Sequence, residues 1–260
     1  VTTFTAIIPT YNRSASVARA IESALAQTHP PLEVLVCDDG STDQTAATVE
    51  AFAERDRRVQ YLPLQAHAGG PGAARNAGIR NARGRFVAFL DDDDTWEPGF
   101  LQSVLVHLMR DQGLVAGANA ILPSGRLYFD EQEGDVSISA RELAFDNPMI
   151  TSATALATAL ARSIGGFSER RDHVAHEDWL MWLALADRGA RFVRLATSGV
   201  RYQSEGAARL SSQPLKMQRG TVRIAASRWR ERPQDPIRAL AVAVHASRLL
   251  KLSLRGRVTR

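Results

Sequence analysis

Phe86-Val87-Ala88-Phe89-Leu90-Asp91-Asp92-Asp93-Asp94 joins five consecutive apolar residues to four consecutive aspartates. An unbroken apolar run this short reads as a strand buried on both faces, the kind found in parallel sheets covered by helices. The carboxylates then stand beyond the strand's carboxyl end, where open α/β sheets bind their ligands. The same arrangement recurs upstream. Residues 33–37 (EVLVC) stop in Asp38-Asp39-Gly40-Ser41, and residues 4–9 (FTAIIP) run into Thr10-Tyr11-Asn12-Arg13. Between these strands, residues 16–27 place Val17, Ala20, Ile21, Ala24 and Leu25 on one helical face, with Ser14 or Ser16 available as N-cap. Thr42 or Asp43 caps a second helix to about residue 54, residues 59–64 form a strand and residues 73–82 a helix. Strands alternating with helices predict βαβ units and an α/β fold with a mostly parallel, Rossmann-like central sheet.

Beyond residue 95 the rhythm changes. A helix over about 99–110 precedes two strands, 115–122 and 126–129, joined by Pro123-Ser124-Gly125. An acidic loop (130–135), short helices, Gly165-Gly166-Phe167, a helix from about Glu177 and a strand over 191–195 follow. Residues 203–212 are polar without a regular period and read as a mobile loop.

The 260 residues are 45% apolar and 23% charged, which excludes disordered, collagenous and fibrous classes. The longest nearly charge-free apolar stretch, 151–161, is too short to cross a bilayer, which takes roughly 20 apolar residues. Residues 1–10 lack the basic n-region and cleavage site of a signal peptide, so a cytoplasmic location is expected. Cys37, the single cysteine, lies in an apolar run and reads as a small core hydrophobe. The net charge of +4 hides an asymmetry: residues 216–260 hold 12 lysines and arginines against Glu231 and Asp235 alone. The tail lacks the interleaved aromatics of a nucleic-acid surface, and an anionic membrane suits it better.

Four adjacent aspartates repel one another unless a cation compensates them, and oxygen donors without His or Cys favour Mg²⁺ or Mn²⁺, which also grips phosphate. The bland alternative is a helix cap by Asp94 or Thr95. Asp38 and Asp39 can accept hydrogen bonds from hydroxyls or a base imino group, or form an Asx-turn. Gly69-Gly70-Pro71-Gly72 opens the helix carrying Arg75 and Asn76, a junction that attracts anions but matches neither a dinucleotide fingerprint nor a P-loop. Arg75 reads either as a phosphate contact or as a surface arginine. His176-Glu177-Asp178-Trp179 opens an amphipathic helix, where carboxylates serve the helix dipole or a general base, and Trp179 serves a sugar face or the core.

Taken together, Ile8-Pro9-Thr10-Tyr11-Asn12-Arg13, Asp38 to Asp43 (DDGSTD), Gly72 to Gly78 (GAARNAG), Phe89 to Asp94 (FLDDDD), Gly165-Gly166-Phe167 and Glu177-Asp178-Trp179 resemble the family 2 glycosyltransferases in order and spacing, over about residues 4–205. The resemblance implies an A-type glycosyltransferase fold, a nucleotide-diphosphate-sugar donor (a UDP-sugar favoured), a divalent metal and inversion at the anomeric carbon. It implies a metal-dependent hexosyltransferase-type enzyme of bacterial surface polysaccharide or lipopolysaccharide synthesis, with a glycan or lipid-linked acceptor. By position, Thr10, Tyr11, Arg13 and Asp39 match nucleoside-binding residues, with Asp39 on the base; Pro9 beside them, and Arg75 if its helix faces the crevice, complete the donor-binding set. Asp91, Asp92 and Asp93 match the DXD element, Asp92 on ribose or sugar and Asp93 on the metal. Asp178 matches the catalytic base, with Glu177 and Trp179 beside it. Residues 1–212 then form the catalytic domain, with a nucleotide-sugar half (1–95) and an acceptor half (96–212), followed by a basic helical extension (213–260). Many relatives carry a late histidine where this chain reads Arg201-Tyr202-Gln203-Ser204-Glu205, which puts Arg201 or Arg209 forward as diphosphate contacts.

Two other classes fit parts of the pattern. Asp91-x-Asp93-x-Thr95 also suits the nucleophile motif of haloacid-dehalogenase-like phosphatases, although the only lysines are Lys216 and Lys251. A non-catalytic nucleotide- or glycan-binding module would use the same crevice. In the tail, residues 236–254 form an amphipathic helix with a basic side, for packing on the catalytic domain, on a second subunit or on a membrane.

Overall fold

The structure, a computed structural model, describes residues 3–203 and 214–258, the side chains as far as 254. Strands β1 (Phe4–Thr10), β2 (Glu33–Asp38), β3 (Val59–Pro63) and β4 (Phe86–Phe89) lie parallel in the order β3-β2-β1-β4. Every residue of β1, β2 and β4 is buried, as strands without polar alternation require. The crossovers are α1 (Ser14–Leu25), α2 (Thr45–Arg55) and α3 (Pro71–Asn81). α1 buries the predicted face through Val17, Ala20, Ile21 and Ala24. Its start is not closed by Ser14 or Ser16. The Arg13 amide donates to Thr45 Oγ1 (3.0 Å) and the Ser14 amide to Asp43 (3.3 Å), so the second loop caps the first helix. Asp43 also accepts from the Thr45 amide and thereby closes α2. α3 lies close on β1 because residue 78 is glycine: a Cβ there would stand 2.5 Å from Ile7 Cγ2. Cys37 is fully buried, and burial pushes its thiol up to about 12.

The second half holds β5 (Asp94–Trp96), α4 (Phe100–Arg110), β6 (Leu114–Ile121), β7 (Val136–Ile138), α5 (Ala140–Phe145), β8 (Thr154–Ala157), α6 (Thr158–Ser163), α7 (Glu177–Ala186) and β9 (Arg191–Tyr202). One nine-stranded sheet results, β3-β2-β1-β4-β8-β6-β9-β5, with β7 on β9. β8 lies antiparallel between β4 and β6 and carries the sheet across the change of rhythm. Several expectations are corrected here. Asp94 and Thr95 do not cap a helix: they belong to β5, which pairs antiparallel with β9. No strand forms over 126–129, where the Asn119 side chain takes both backbone groups of Phe129 (2.9 and 3.0 Å) and leaves only an isolated bridge from Ile121 to Leu127. The last strand runs well past residue 195 to Tyr202. Of the expected loop at 203–212, all but Gln203 lies outside the described residues, Arg209 included.

The tail forms α8 (Pro214–Glu231) and α9 (Pro236–Val258), which pack on each other and against α5 and α7. Arg228 and Arg238 both reach Asp187 at the end of α7, and His245 Nε2 lies 3.2 Å from the Ala144 carbonyl of α5. Among the described residues, no helix is long and apolar enough to cross a membrane.

Candidate active site

β1, β2 and β4 end on one edge, and between that edge and α7 opens a crevice of about 760 Å³, within the range of small-molecule sites. At one end, Tyr11 stacks on His67 with ring centroids 4.0 Å apart. Asp39 accepts from the Ala68 amide (2.7 Å) and the Gly69 amide (3.2 Å), and His67 Nδ1 stands 2.9 Å from its carboxylate. Its oxygens therefore hold the 67–69 loop in place, while Pro9 and Tyr11 line the crevice beside it. Asp38 is fully buried and structural: it accepts from the Ser41 amide and hydroxyl and from the Tyr61 hydroxyl at 2.6 Å. Burial and that carboxylate together raise the Tyr61 phenol well above its usual value.

The four aspartates, expected to require a cation, are mostly compensated by the protein. Asp91 is ion-paired to Arg75 at 2.6 Å. Asp92 accepts from the Thr10 hydroxyl at 2.7 Å, and burial, helped by the charges of Asp93 and Asp91, pushes its pKa up to about 7. Asp94 is buried in β5. Asp93, partly exposed in the crevice, faces the half-exposed Arg13 at 3.7 Å. No group of three His, Cys, Asp or Glu side chains converges on a metal position among the described residues. The donor set therefore fits a hard ion held by one carboxylate and completed by phosphate and water, the usual coordination of Mg²⁺ in phosphate sites.

Arg75 is neither a surface arginine nor a free phosphate contact. It is 3% exposed, with one guanidinium nitrogen on Asp91 and another 2.8 Å from Glu177 Oε1. Burial works against its charge, but Asp91 and Glu177 outweigh it and hold the group cationic. Glu177 is raised above the ordinary carboxylate range by burial and by the neighbouring Asp178, against the pull of Arg75, and its Oε2 has no hydrogen-bond partner. Asn76, next on α3, donates to the Phe167 carbonyl and to Glu169 and accepts from the Phe167 amide, each at 2.8 Å. Gly166 has φ +84°, and a Cβ there would collide with Asn76 Oδ1. The GAARNAG and Gly-Gly-Phe segments are thus two sides of one latch.

Asp178, at the start of α7, faces the opposite side of the crevice. Its Oδ2 accepts from Asn147 Nδ2 and Thr151 Oγ1, both at 3.0 Å, and its Oδ1 from the Trp179 amide at 2.7 Å. The backbone bend before it is marked by Ala175 at φ +67°. Trp179 takes the core role of its two readings: it is buried, and its indole donates to the Leu143 carbonyl at 2.7 Å. Arg201 does not line the crevice. It pairs with Glu97 at 3.1 Å, because strand alternation turns Tyr202 toward the crevice and Arg201 away.

The sequence of glycosyl transferase family 2 matches residues 5–156, more than half of the chain. The chain belongs to glycosyl transferase family 2. Among relatives, it is 48% identical over 101 residues to the succinoglycan biosynthesis protein ExoO of Rhizobium meliloti, covering 39% of this chain and 28% of that protein. It is 38% identical over 105 residues to the UDP-Glc:alpha-D-GlcNAc-diphosphoundecaprenol beta-1,3-glucosyltransferase WfgD of Escherichia coli, covering 40% of each. These relatives are matched over less than half their length. S. aureus TarS 1–349 in complex with UDP-GlcNAc superposes with a TM-score of 0.74 at 24% identity, over 95% of this chain and 72% of that one, and shares the A-type glycosyltransferase fold. Membership in this family removes the phosphatase reading, and the ion pair with Arg75 also denies Asp91 the role of a free nucleophile.

Several residues of the crevice had no motif to announce them. His67 stacks under Tyr11, and its place just before Gly69-Gly70 was the only clue. Asn147 and Thr151 orient Asp178 from a segment read as short helices. Tyr128, Phe129 and Tyr202 form an aromatic rim, and Gln218, His245 and Arg248 line the crevice from the tail.

Proposed function

We propose that the protein is an inverting glycosyltransferase that moves a sugar from a nucleotide-diphosphate sugar, a UDP-sugar favoured, to a hydroxyl of a glycan or lipid-linked acceptor. The observation that carries this reading is Asp178, held by three hydrogen bonds in the same crevice as Asp93, Arg13 and the Tyr11–His67 stack. A carboxylate offers about four acceptor positions. Asn147 and Thr151 use both on Oδ2 and the Trp179 amide one on Oδ1, so the remaining Oδ1 lone pair receives the acceptor proton as the hydroxyl oxygen attacks the anomeric carbon. Inversion follows from a single displacement, with the base on the side away from the leaving diphosphate.

At the other end, Tyr11 and Pro9 would hold the base, and Thr10 would hold Asp92 in position for ribose or sugar. Arg13 is an unburied cation available to the diphosphate, whereas Arg75 has its charge committed and acts by positioning Asp91 and Glu177. Asp93 would hold Mn²⁺ or Mg²⁺, which when bound neutralises charge on the leaving diphosphate. The activities named for WfgD and for the Campylobacter jejuni beta-1,3-glucosyltransferase, both on undecaprenol-linked glycans, support a lipid-linked acceptor and a place in surface polysaccharide synthesis. Residues 1–212 would form the catalytic unit, 1–95 serving the donor and 96–212 the acceptor, with 213–260 as its helical extension.

The test is a thermal-shift panel of UDP-, GDP- and dTDP-sugars with and without Mn²⁺, followed by UDP release with lipid-linked acceptors. A donor should raise Tm by mass action. No stabilisation by any member would overturn the reading, and stabilisation without transfer to any acceptor would favour the non-catalytic binding module.

A further inference from the structure

α9 presents two different sides. Inward, His245 and Arg248 line the crevice that also holds Asp178. Outward, Leu240, Ala243, Ser247, Leu250 and Leu254 follow one another at intervals of three and four residues, which sets them in one row along the helix. The three leucines of that row are 49%, 61% and 53% exposed. Soluble surfaces carry scattered apolar residues, but a row of leucines on one helix marks a surface that meets something.

Charge identifies the occupant. Lys251 borders the row and is not ion-paired among the described residues, while Arg248 lies on the crevice side and donates to the Phe145 carbonyl. The two acids of the tail, Glu231 and Asp235, both lie against Arg238, away from the leucine row. Arg223 and Arg228 are taken up by Asp172 and Asp187 of the catalytic part. The outward face is therefore apolar and bordered by the cation of Lys251, and residues 236–260 hold no acid. A second copy of the same face would bring like charges together, whereas an anionic bilayer offers both an acyl interior for the leucines and phosphate for the cation.

We infer that the outward face of α9 docks on an anionic phospholipid bilayer and sets the acceptor end of the crevice at the membrane surface. The docking stands on the helix alone. Its use, presenting a membrane-held acceptor to Asp178, rests on the function proposed above.

The experiment is co-sedimentation of the full chain with phosphatidylglycerol–phosphatidylcholine vesicles and with phosphatidylcholine alone, at low and high salt. Binding is expected on the anionic vesicles only, weakened by salt as the Debye length shrinks. The Leu250→Glu/Leu254→Glu variant should bind roughly tenfold or more weakly, and Lys251→Glu several-fold more weakly. Both variants should keep the wild-type circular dichroism and Tm, because the three side chains are exposed. A wild-type protein that stays in the supernatant at low salt overturns the inference. So does equal binding by the Leu250→Glu/Leu254→Glu variant, or a dimer in light scattering that this variant breaks. No turnover is measured, so failure here leaves the proposed activity intact, and an inactive protein that still sediments leaves the docking intact.

Discussion

Replacing Arg75 with methionine should destabilise the fold by an amount that depends steeply on pH. The guanidinium makes two charge-assisted bonds, to Asp91 at 2.6 Å and Glu177 at 2.8 Å. Asp91 is about one-third exposed, so water replaces most of what it loses, about 1 kcal/mol or less. Glu177 is different: its carboxylate is buried and one oxygen already lacks a partner. Leaving a buried carboxylate uncompensated costs about 3–5 kcal/mol. An upper bound comes from proton uptake. Neutralising at pH 7.5 a carboxyl whose ordinary value is 4.5 costs about 4 kcal/mol, and at pH 5.5 only about 1.4 kcal/mol.

The native pKa of Glu177 is already raised, and loss of Arg75 raises it further. Between the unfolded and folded values the native state binds more protons than the unfolded one, so stability rises as pH falls through that window. Urea unfolding of wild type, Arg75→Met, Glu177→Gln and the double variant should therefore show Arg75→Met losing about 3–4 kcal/mol at pH 7.5 and about 2 kcal/mol less at pH 5.5. Adding Glu177→Gln should recover part of the loss. An Arg75→Met cost below about 1 kcal/mol, or one that is flat with pH and not relieved by Glu177→Gln, would refute the reasoning.

Four further outcomes follow from the same contacts. Asp178→Asn should lower transfer by about 10²–10⁴-fold while leaving the Tm shift by UDP unchanged; loss of UDP binding as well would remove its assignment as base. Asp93→Asn, or chelation of the wild type with EDTA, should abolish the Mn²⁺-dependent part of the nucleotide thermal shift, and an unchanged shift would take the metal away from Asp93. Asn76→Ala should cost about 2–4 kcal/mol in urea unfolding, because it leaves the Phe167 amide and carbonyl unsatisfied in the interior. Glu33 is held below its ordinary value although burial opposes this, because the Arg83 amide and side chain and the Thr5 hydroxyl outweigh it. It thus contributes stability above pH 4.5 that disappears as pH falls through its native value, and Glu33→Gln should flatten that part of the acid limb in a Tm-against-pH series.

The first half was legible because its signals are local. β1, β2 and β4 are short, mostly apolar and wholly buried, and each runs into a polar or acidic segment at the sheet edge. The second half was not, because its key strand, β8, reads Thr-Ala-Leu-Ala and has no strand-forming composition of its own. Tertiary position between β4 and β6 makes it a strand. Residues 126–129 failed for the opposite reason: Arg-Leu-Tyr-Phe has strand composition, but the Asn119 side chain takes the backbone groups a neighbouring strand would need. At the site, single residues in motifs were found and their partners were not. Arg75 could not be assigned from its helix, since what fixes its role is Glu177, 102 positions away.

The clasp formed by Arg75 and Asn76 also bears on how new specificities could be built on this framework. The family match ends at residue 156, an inviting place to splice in an acceptor half from another enzyme. Such a chimera would separate α3 from Gly166, Phe167 and Glu177, the groups that receive its polar side. The two halves are physically interlocked, so a productive exchange has to place its junction beyond α7 or transplant both sides of the clasp together.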